Sequence, residues 1–251
     1  MSQQRPFLSL FGICFALVWG AAVWWLIYQS IDQRRLTAFA NAVRDAGGYI
    51  PHYHPRRTQL EQFIGDLYPR DRIKVYDDVD VVDLRLAKNP EVLLSDIAAA
   101  QQLTCVKIGS TLHDPAALRH LTELPKLTDL VIDAPQADDR WFEVLSECKG
   151  LRRLSVCRGT FSDRSLDRFA KLANMAIVSI PDSAVTDAGI AHLASATSLE
   201  LLDIRGTATT DAAATTLAPL TKLRQVVIWR SDITPEGAAQ LRANHPERFI
   251  W

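Results

Sequence analysis

The feature that most constrains this chain is a fixed interval. Val79, Leu103, Leu127, Leu151, Met175, Leu199 and Leu223 each open a short apolar segment, and each follows the last by 24 residues with no insertion. A constant period of roughly 20–50 residues is what a solenoid requires, because one unit can bury its open sides only against a neighbour of the same length. Counting those residues as position one and as strand starts, positions four and six are apolar too. They are Val106 and Ile108, Leu154 and Val156, Leu202 and Ile204, and Val226 and Ile228. Residues two apart in a strand face the same way, so this pair faces a core and positions three, five and seven face outward.

A helix start follows each strand. Position twelve is Asp114, Asp138, Ser162, Thr186, Thr210 or Thr234, all residue types whose side chains accept from free backbone N–H groups at a helix N-terminus. Position thirteen is Pro115, Asp139, Asp163, Asp187, Asp211 or Pro235. Proline suits a first helical position, and aspartate there faces the positive end of the helix dipole. The first unit is shifted by one, with Asn89 as cap before Pro90. Within the helix, positions sixteen and nineteen stay apolar, as in Leu118/Leu121, Phe142/Leu145, Leu166/Phe169 and Ile190/Leu193, which makes an inward stripe.

Ahead of the repeats, Phe7 to Tyr28 contains no charged residue and ends in Trp24, Trp25 and Tyr28. It is long enough to cross a hydrocarbon core of ~30 Å as a helix, and the aromatics suit its interface, so the expectation is an uncleaved single-pass anchor. A cleaved signal peptide ending near Gly20 and Ala22 is the alternative. Arg34, Arg35 and Arg44 beyond the segment outnumber Arg5 before it, which places the repeats on the cytoplasmic side. With signal cleavage they would instead be periplasmic or secreted. Asp32–Ala46 reads as a helix with Leu36, Phe39, Ala40 and Val43 on one face, stopped by Gly47-Gly48. Tyr49–Tyr53 reads as extended, and Thr58 with Glu61 opens a second helix. His52 and His54 in this neck, with Asp77, Asp78 or Asp80 as a third donor, are the one hint of a metal, and solvated edge residues are the better reading.

Composition narrows the function classes. The formal net charge of −1 gives no strong pull toward nucleic acid. The four cysteines have neither metal-ligand spacing nor the density of a disulfide framework. Cys148 takes a position that is leucine or alanine in other units and reads as a buried thiol; Cys105 and Cys157 lie two strands, ~9.6 Å, apart, too far to bridge. No phosphate-binding glycine loop, nucleophile elbow or catalytic His/Cys/Asp grouping is present. His120 and His192 sit on helix surfaces. No cofactor is implied.

The pattern of apolar positions one, four and six followed by a Thr-Asp helix start, clearest in "VTDAGIAHLA" and recognisable in "SDRSLDRFAKL" and "TPEGAAQLRA", resembles the leucine-rich-repeat family. It is most similar to the subtype with 24-residue units and a "TDAG" helix start found in F-box-associated and bacterial proteins. The anchor and neck, with "AVRDAGGYI" and "FIGDL", also resemble membrane-anchored repeat proteins of planctomycete-type bacteria. No F-box helix set precedes the repeats, so the ubiquitin-ligase role of some relatives is not implied. The resemblance implies an α/β fold: a right-handed solenoid with a parallel sheet on the concave side and helices on the convex side, here behind an N-terminal transmembrane helix. The organisation is then a tail at 1–6, an anchor at 7–28, a helical neck and cap at 29–78, seven repeats at 79–246 and a cap strand at 247–251.

The resemblance also implies that the concave sheet binds a protein partner and that the chain is not an enzyme. Positions three, five and seven would form that surface: Asp83, Arg85, Lys107, Asp129, Val131, Asp133, Arg153, Ser155, Ile177, Leu201, Asp203, Arg205, Gln225, Val227 and Trp229. Val81, Cys105, Cys157 and Ser179 share those positions. Asp129 can approach Lys107 or Arg153 on neighbouring strands. Trp229 is the strongest anchor candidate, with packing under a C-terminal cap as its alternative. A structural spacer without a specific partner is the other reading of the whole chain.

Overall fold

The computed structural model describes residues 34–50, 80–169 and 172–244, and the backbone of 249–250. By internal contacts the chain divides into two units, and the repeats belong to the one comprising Phe39–Tyr53 and Asp78–Trp251. Among its described residues this unit carries one sheet of eight strands: β1 (Val81–Leu84), β2 (Cys105–Gly109), β3 (Asp129–Asp133), β4 (Arg153–Cys157), β5 (Ile177–Ser179), β6 (Leu201–Asp203), β7 (Gln225–Val227) and β8 (Phe249–Ile250). The strands lie in sequence order and every pairing is parallel. Val82 pairs with Val106, Val106 with Leu130, Leu130 with Leu154, Leu154 with Val178, and so on to Val226 with Ile250. The sequence period is therefore the register of the ladder, and the chain has the α/β repeat solenoid that the leucine-rich-repeat resemblance implies.

Two details differ from the sequence reading. The strands begin at position three rather than position one. Leu103, Leu127, Leu151, Met175, Leu199 and Leu223 are all buried, but they precede the ladder. The residue at position two has its carbonyl take two N–H groups of the next unit, as Arg152 does from Ala176 and Ile177, and this turn delivers the chain into the strand. The core pair at positions four and six is fully buried from β1 to β6. In the last full unit Val226 is buried but Ile228 is only half-buried.

The helices after the strands run over Pro90–Ser95, Asp139–Leu145, Asp163–Phe169, Asp187–Leu193, Ala212–Leu217 and Pro235–Asn244. The second unit carries a 3₁₀ helix instead, Pro115–Glu123. Its inward residues Leu118, Leu121 and Leu124 hold the same repeat positions as those of the α-helical units and are buried like them. Asp114, Asp138 and Thr186 cap their helices as the sequence predicts, accepting from Ala116, Arg140 and Ala188 N–H groups. Asn89 precedes Pro90 without a side-chain cap bond.

The aspartates at position thirteen do more than face a dipole: each reaches into the next unit. Asp139 accepts from Ser162 N and Oγ at 2.9 and 2.8 Å, and Asp163 from Thr186 N and Oγ1 at 2.7 Å each. Asp187 bonds Thr210 in the same way at 2.9 and 2.6 Å, and Asp211 bonds Thr234 at 2.8 and 2.7 Å. Ser165 adds a hydroxyl donor to Asp139. These charge-assisted pairs staple the helix starts of consecutive units. Where the staple is absent, because position thirteen is Pro115, the next unit fills the space with Trp141, which is fully buried. Phe161 and Phe169 pack against the buried Phe142, with ring centroids 4.5 and 4.9 Å from it.

Before the repeats, residues 34–45 are helical, with Phe39, Ala40 and Val43 buried. The chain turns at Gly47, whose φ of +85° lies in the left-handed region. Tyr49 then pairs antiparallel with Asp83, exchanging N–H···O bonds of 2.7 and 2.6 Å, so the outer edge of β1 is occupied there. Among the described residues no helix is long and apolar enough to cross a membrane. The expected anchor at 7–28, the helix read from Thr58, and His52, His54, Asp77 and Asp78 lie outside the described residues.

Candidate functional site

Strand parity leaves one side of the sheet open, and the sequence-predicted surface residues stand there in three rows. Position three runs Val81, Cys105, Asp129, Arg153, Ile177, Leu201, Gln225. Position five runs Asp83, Lys107, Val131, Ser155, Ser179, Asp203, Val227, and position seven holds Arg85, Asp133, Cys157, Arg205 and Trp229. Laddered neighbours such as Asp83/Lys107, Asp129/Arg153, Ile177/Leu201 and Asp203/Val227 sit side by side.

The rows are not uniform. From β1 to β4 the surface is charged and internally paired. The Asp83 carboxylate takes Arg85 Nη2 at 2.7 Å and Nε at 3.0 Å, together with the Arg85 backbone N–H. Burial pushes this carboxyl up, but those hydrogen bonds and the charges of Arg85 and Lys107 outweigh it and hold it below its ordinary value. Asp129 meets Arg153 at 3.0 Å, so of its two expected partners the bond goes to Arg153. Asp133 is held by Arg158, one residue beyond the predicted rows. From β5 to β7 apolar side chains enter the face: Ile177, Leu201 and Val227 are half-buried and Trp229 is 66 % exposed, beside Ser179, Gln225 and the Asp203–Arg205 pair. The side chains of the C-terminal cap expected at 247–251, under which Trp229 could instead pack, lie outside the described residues.

Asp203 differs from the exposed residue the parity argument expects. It is only 6 % exposed, because Arg205 Nε and Nη2 bind it at 2.9 and 2.8 Å and Ser179 Oγ donates from the neighbouring strand at 3.0 Å. Its carboxylate is committed within the sheet, and what reaches the surface is the oriented guanidinium of Arg205. "DLR" in β1 and "DIR" in β6 are the same device.

Sequence reasoning also missed position eight, where the chain leaves the strand. Arg158, Asp182, Gly206 and Arg230 all have left-handed backbone there, with φ of 62°, 53°, 64° and 61°. Gly206, and more weakly Asp182, carry residue types that favour this conformation; the two arginines do not. Arg230 reaches Asp182 at 3.4 Å across Gly206, where a Cβ would collide with the Asp182 carboxylate.

Among the described residues no group of three or more His, Cys, Asp or Glu side chains could hold a metal. Cys148 is buried, as its place in the repeat predicts. Burial first, then the charge of Glu147, pushes its thiol up to about 11, so it is not a nucleophile at neutral pH. Cys105 is half-buried and also pushed up, by burial and then by Asp129. His120 pairs with Glu123 at 2.9 Å and His192 with Asp167 at 3.7 Å, both on helix surfaces.

No family model matches the chain, and no curated protein matches it. Solved structures do. An internalin (InlF) from Listeria monocytogenes is 14% identical with a TM-score of 0.42, over 62% of this chain and 49% of that one. Internalin C2 of the same bacterium is 16% identical with a TM-score of 0.47, over 75% of this chain and 90% of that one. The plant peptide hormone receptor RGFR1, solved in complex with RGF2, is 13% identical with a TM-score of 0.37, over 62% and 29%. This chain thus spans about half the length of the first internalin and less than a third of the receptor. The solenoid stands on the 24-residue register and its ladder, to which likenesses of this size add nothing.

Proposed function

We propose that this protein is a non-enzymatic interaction module whose open sheet face receives a protein partner, held at a membrane by residues 7–28. The observation that carries the reading is the division of that face. Paired charges on β1–β4 adjoin an apolar area of Ile177, Leu201 and Val227 ending in the 66 % exposed Trp229. An apolar centre with a tryptophan beside a charged border is the composition of a binding surface, where aromatic anchors supply most of the energy. The membrane part rests on the uncharged stretch from Phe7 to Tyr28 and the arginines that follow it.

The test is affinity capture of the full chain from its native membranes, with bound proteins identified by mass spectrometry. Trp229→Ala and Leu201→Glu variants are run in parallel. A partner that is retained by the wild-type chain and lost from both variants supports the reading. Capture that is indifferent to wholesale Ala/Ser replacement of the face would make the repeats a spacer. Labelling of intact cells at a cysteine introduced at exposed Ser110 decides the side: no reaction with an impermeant reagent supports a cytoplasmic repeat domain, and efficient reaction reverses it.

A further inference from the structure

A second surface lies at the other end of the strands. A groove of about 360 Å³ opens where β4 to β7 begin, lined by Gly150, Arg152, Asn174, Ala176, Ser198, Glu200 and Lys222. The repeat explains why it is there. Position twenty-four is lysine at Lys126 and Lys222, but Gly150, Asn174 and Ser198 in the three units between, and position two is alanine at Ala176. Four small residues in adjacent units lower the floor. Arg152, Glu200 and Lys222 stand as its walls.

What sets this rim apart is that its polar side chains are unspent. On the opposite rim Arg85, Arg158, Arg205 and Arg230 are engaged by Asp83, Asp133, Asp203 and Asp182. Lys126, at the same repeat position as Lys222, is engaged by Gln102. Among the described residues the side chains of Arg152, Asn174, Ser198, Glu200 and Lys222 have no hydrogen bond or ion pair within the chain. Two cations against one carboxylate, with Arg224 next along the rim, leave the groove net positive. The three strand spacings from β4 to β7 span ~14 Å, about four residues of extended chain.

We propose that this groove binds an extended acidic peptide segment. Its carboxylates lie at Arg152 and Lys222, its backbone N–H groups donate to Glu200, and its carbonyls accept from Asn174 and Ser198. Arginine offers such a carboxylate two parallel N–H donors, and the amide and hydroxyl match backbone groups without demanding a particular side chain. This surface is separate from the open face, and variants of that face test the two apart.

The experiment is fluorescence anisotropy of the full chain with a fluorescein-labelled hexapeptide of alternating Asp and Gly. Saturable binding is expected, weakened about tenfold by Arg152→Ala and by Lys222→Ala, as for loss of one charge-assisted contact. Ser198→Trp fills the floor without changing charge and should abolish binding. The Lys/Gly counterpart peptide should not bind, and Arg164→Ala, 72% exposed elsewhere on the surface, should change nothing. Melting curves verify that each variant folds, and the two exposed-cation variants keep the test decisive if Ser198→Trp does not. Absence of saturable binding to the wild-type chain overturns the proposal. So does equal weakening by Arg164→Ala, which would mean diffuse attraction. Loss confined to Leu201→Glu and Val227→Glu would place the peptide on the open face, sinking the groove and sparing the open-face reading.

Discussion

Gly189 shows how one residue of the repeat is chosen. A Cβ there would collide with Asp163 Oδ1 and lie 2.9 Å from Val185 Cγ1, so the carboxylate that staples Thr186 needs a glycine in front of it. Other units solve the same problem differently: Ser165 donates to its aspartate, and the unit with Ala213 starts its helix one position later. Helix propensity alone would favour Gly189→Ala by ~1 kcal/mol. Displacing the carboxylate weakens two charge-assisted hydrogen bonds of ~1.5–3 kcal/mol each. The second effect wins, so Gly189→Ala should lower stability by about 1–2 kcal/mol. Asp163→Ala placed in the same chain should remove most of that loss. Denaturant melts of the two single variants and the double variant measure the coupling, and additive shifts would contradict it. The staple also titrates. Burial pushes the Asp139 carboxyl up, but hydrogen bonds from Ser165 and Ser162 and the charge of Arg164 pull it down further, to below its ordinary 3.8. A carboxyl whose folded pKa is depressed contributes stability above the unfolded value, lost as pH falls through the folded one. The stability gap between the wild-type chain and Asp139→Asn should therefore be full at pH 5 and close as pH falls below about 3.8. A gap that widens on acidification would mean the staple does not carry it.

Strand parity was legible in the sequence because it rests on apolar spacing alone, and its consequence is sharp. Leu154 is fully buried and its neighbour Ser155 stands on the open face. Leu154→Asp should cost several kcal/mol by burying an unpaired carboxylate, and Ser155→Asp well under ~1 kcal/mol. Equal shifts in melting temperature would reverse the parity. The period and the helix caps were legible for the same reason: each is local and recurs. Features that cross between units were not. Position thirteen reads as aspartate, but nothing in a single unit shows that its carboxylate bonds the next one. Asp203 has the parity of a surface residue and is buried by a partner two residues on and a serine 24 residues back. The left-handed backbone at Arg158 and Arg230 has no residue signal, since arginine is not chosen for that conformation, and Asp182 carries only the weaker preference of aspartate. The open-face site was legible as a set of positions, but its division into charged and apolar halves depends on which pairs form. The end of the sheet follows from parity as well. β8 adds Phe249 and Ile250 to the edge of β7, across from Gln225 and Val226. Deleting residues 249–251 should lower the melting temperature and promote aggregation through the bared edge. Unchanged melting and light scattering would show that the edge needs no cover.

At the scale of the whole molecule, a solenoid's stability is a sum over units and the interfaces between neighbours. A unit should therefore be removable if the cut preserves register, and the side chains say which cut does. Deleting residues 175–198 joins Asn174 to Leu199. β4 then meets β6 in the register both already use. Asp163, which staples Thr186, finds at the same position Thr210, now stapled by Asp187. Ser155 takes the place of Ser179 beside Asp203, so a hydroxyl still faces that buried carboxylate. The aromatic cluster of Phe142, Phe161 and Phe169 lies wholly outside the cut. Lost are one unit's burial and the Asp182–Arg230 pair, an exposed contact worth about 0–1 kcal/mol. The shortened chain should fold cooperatively, with the circular dichroism per residue of the parent and a lower melting temperature. Deleting residues 187–198, half a unit, has the opposite outcome. It carries the helix cap Thr186 straight into Leu199, leaves Asp163 stapled to a unit without its helix, and removes Ile190 and Leu193 from the core. That chain should lose cooperative unfolding altogether. If both deletions unfold alike, the units are not independent modules and the nearest-neighbour account of this fold fails.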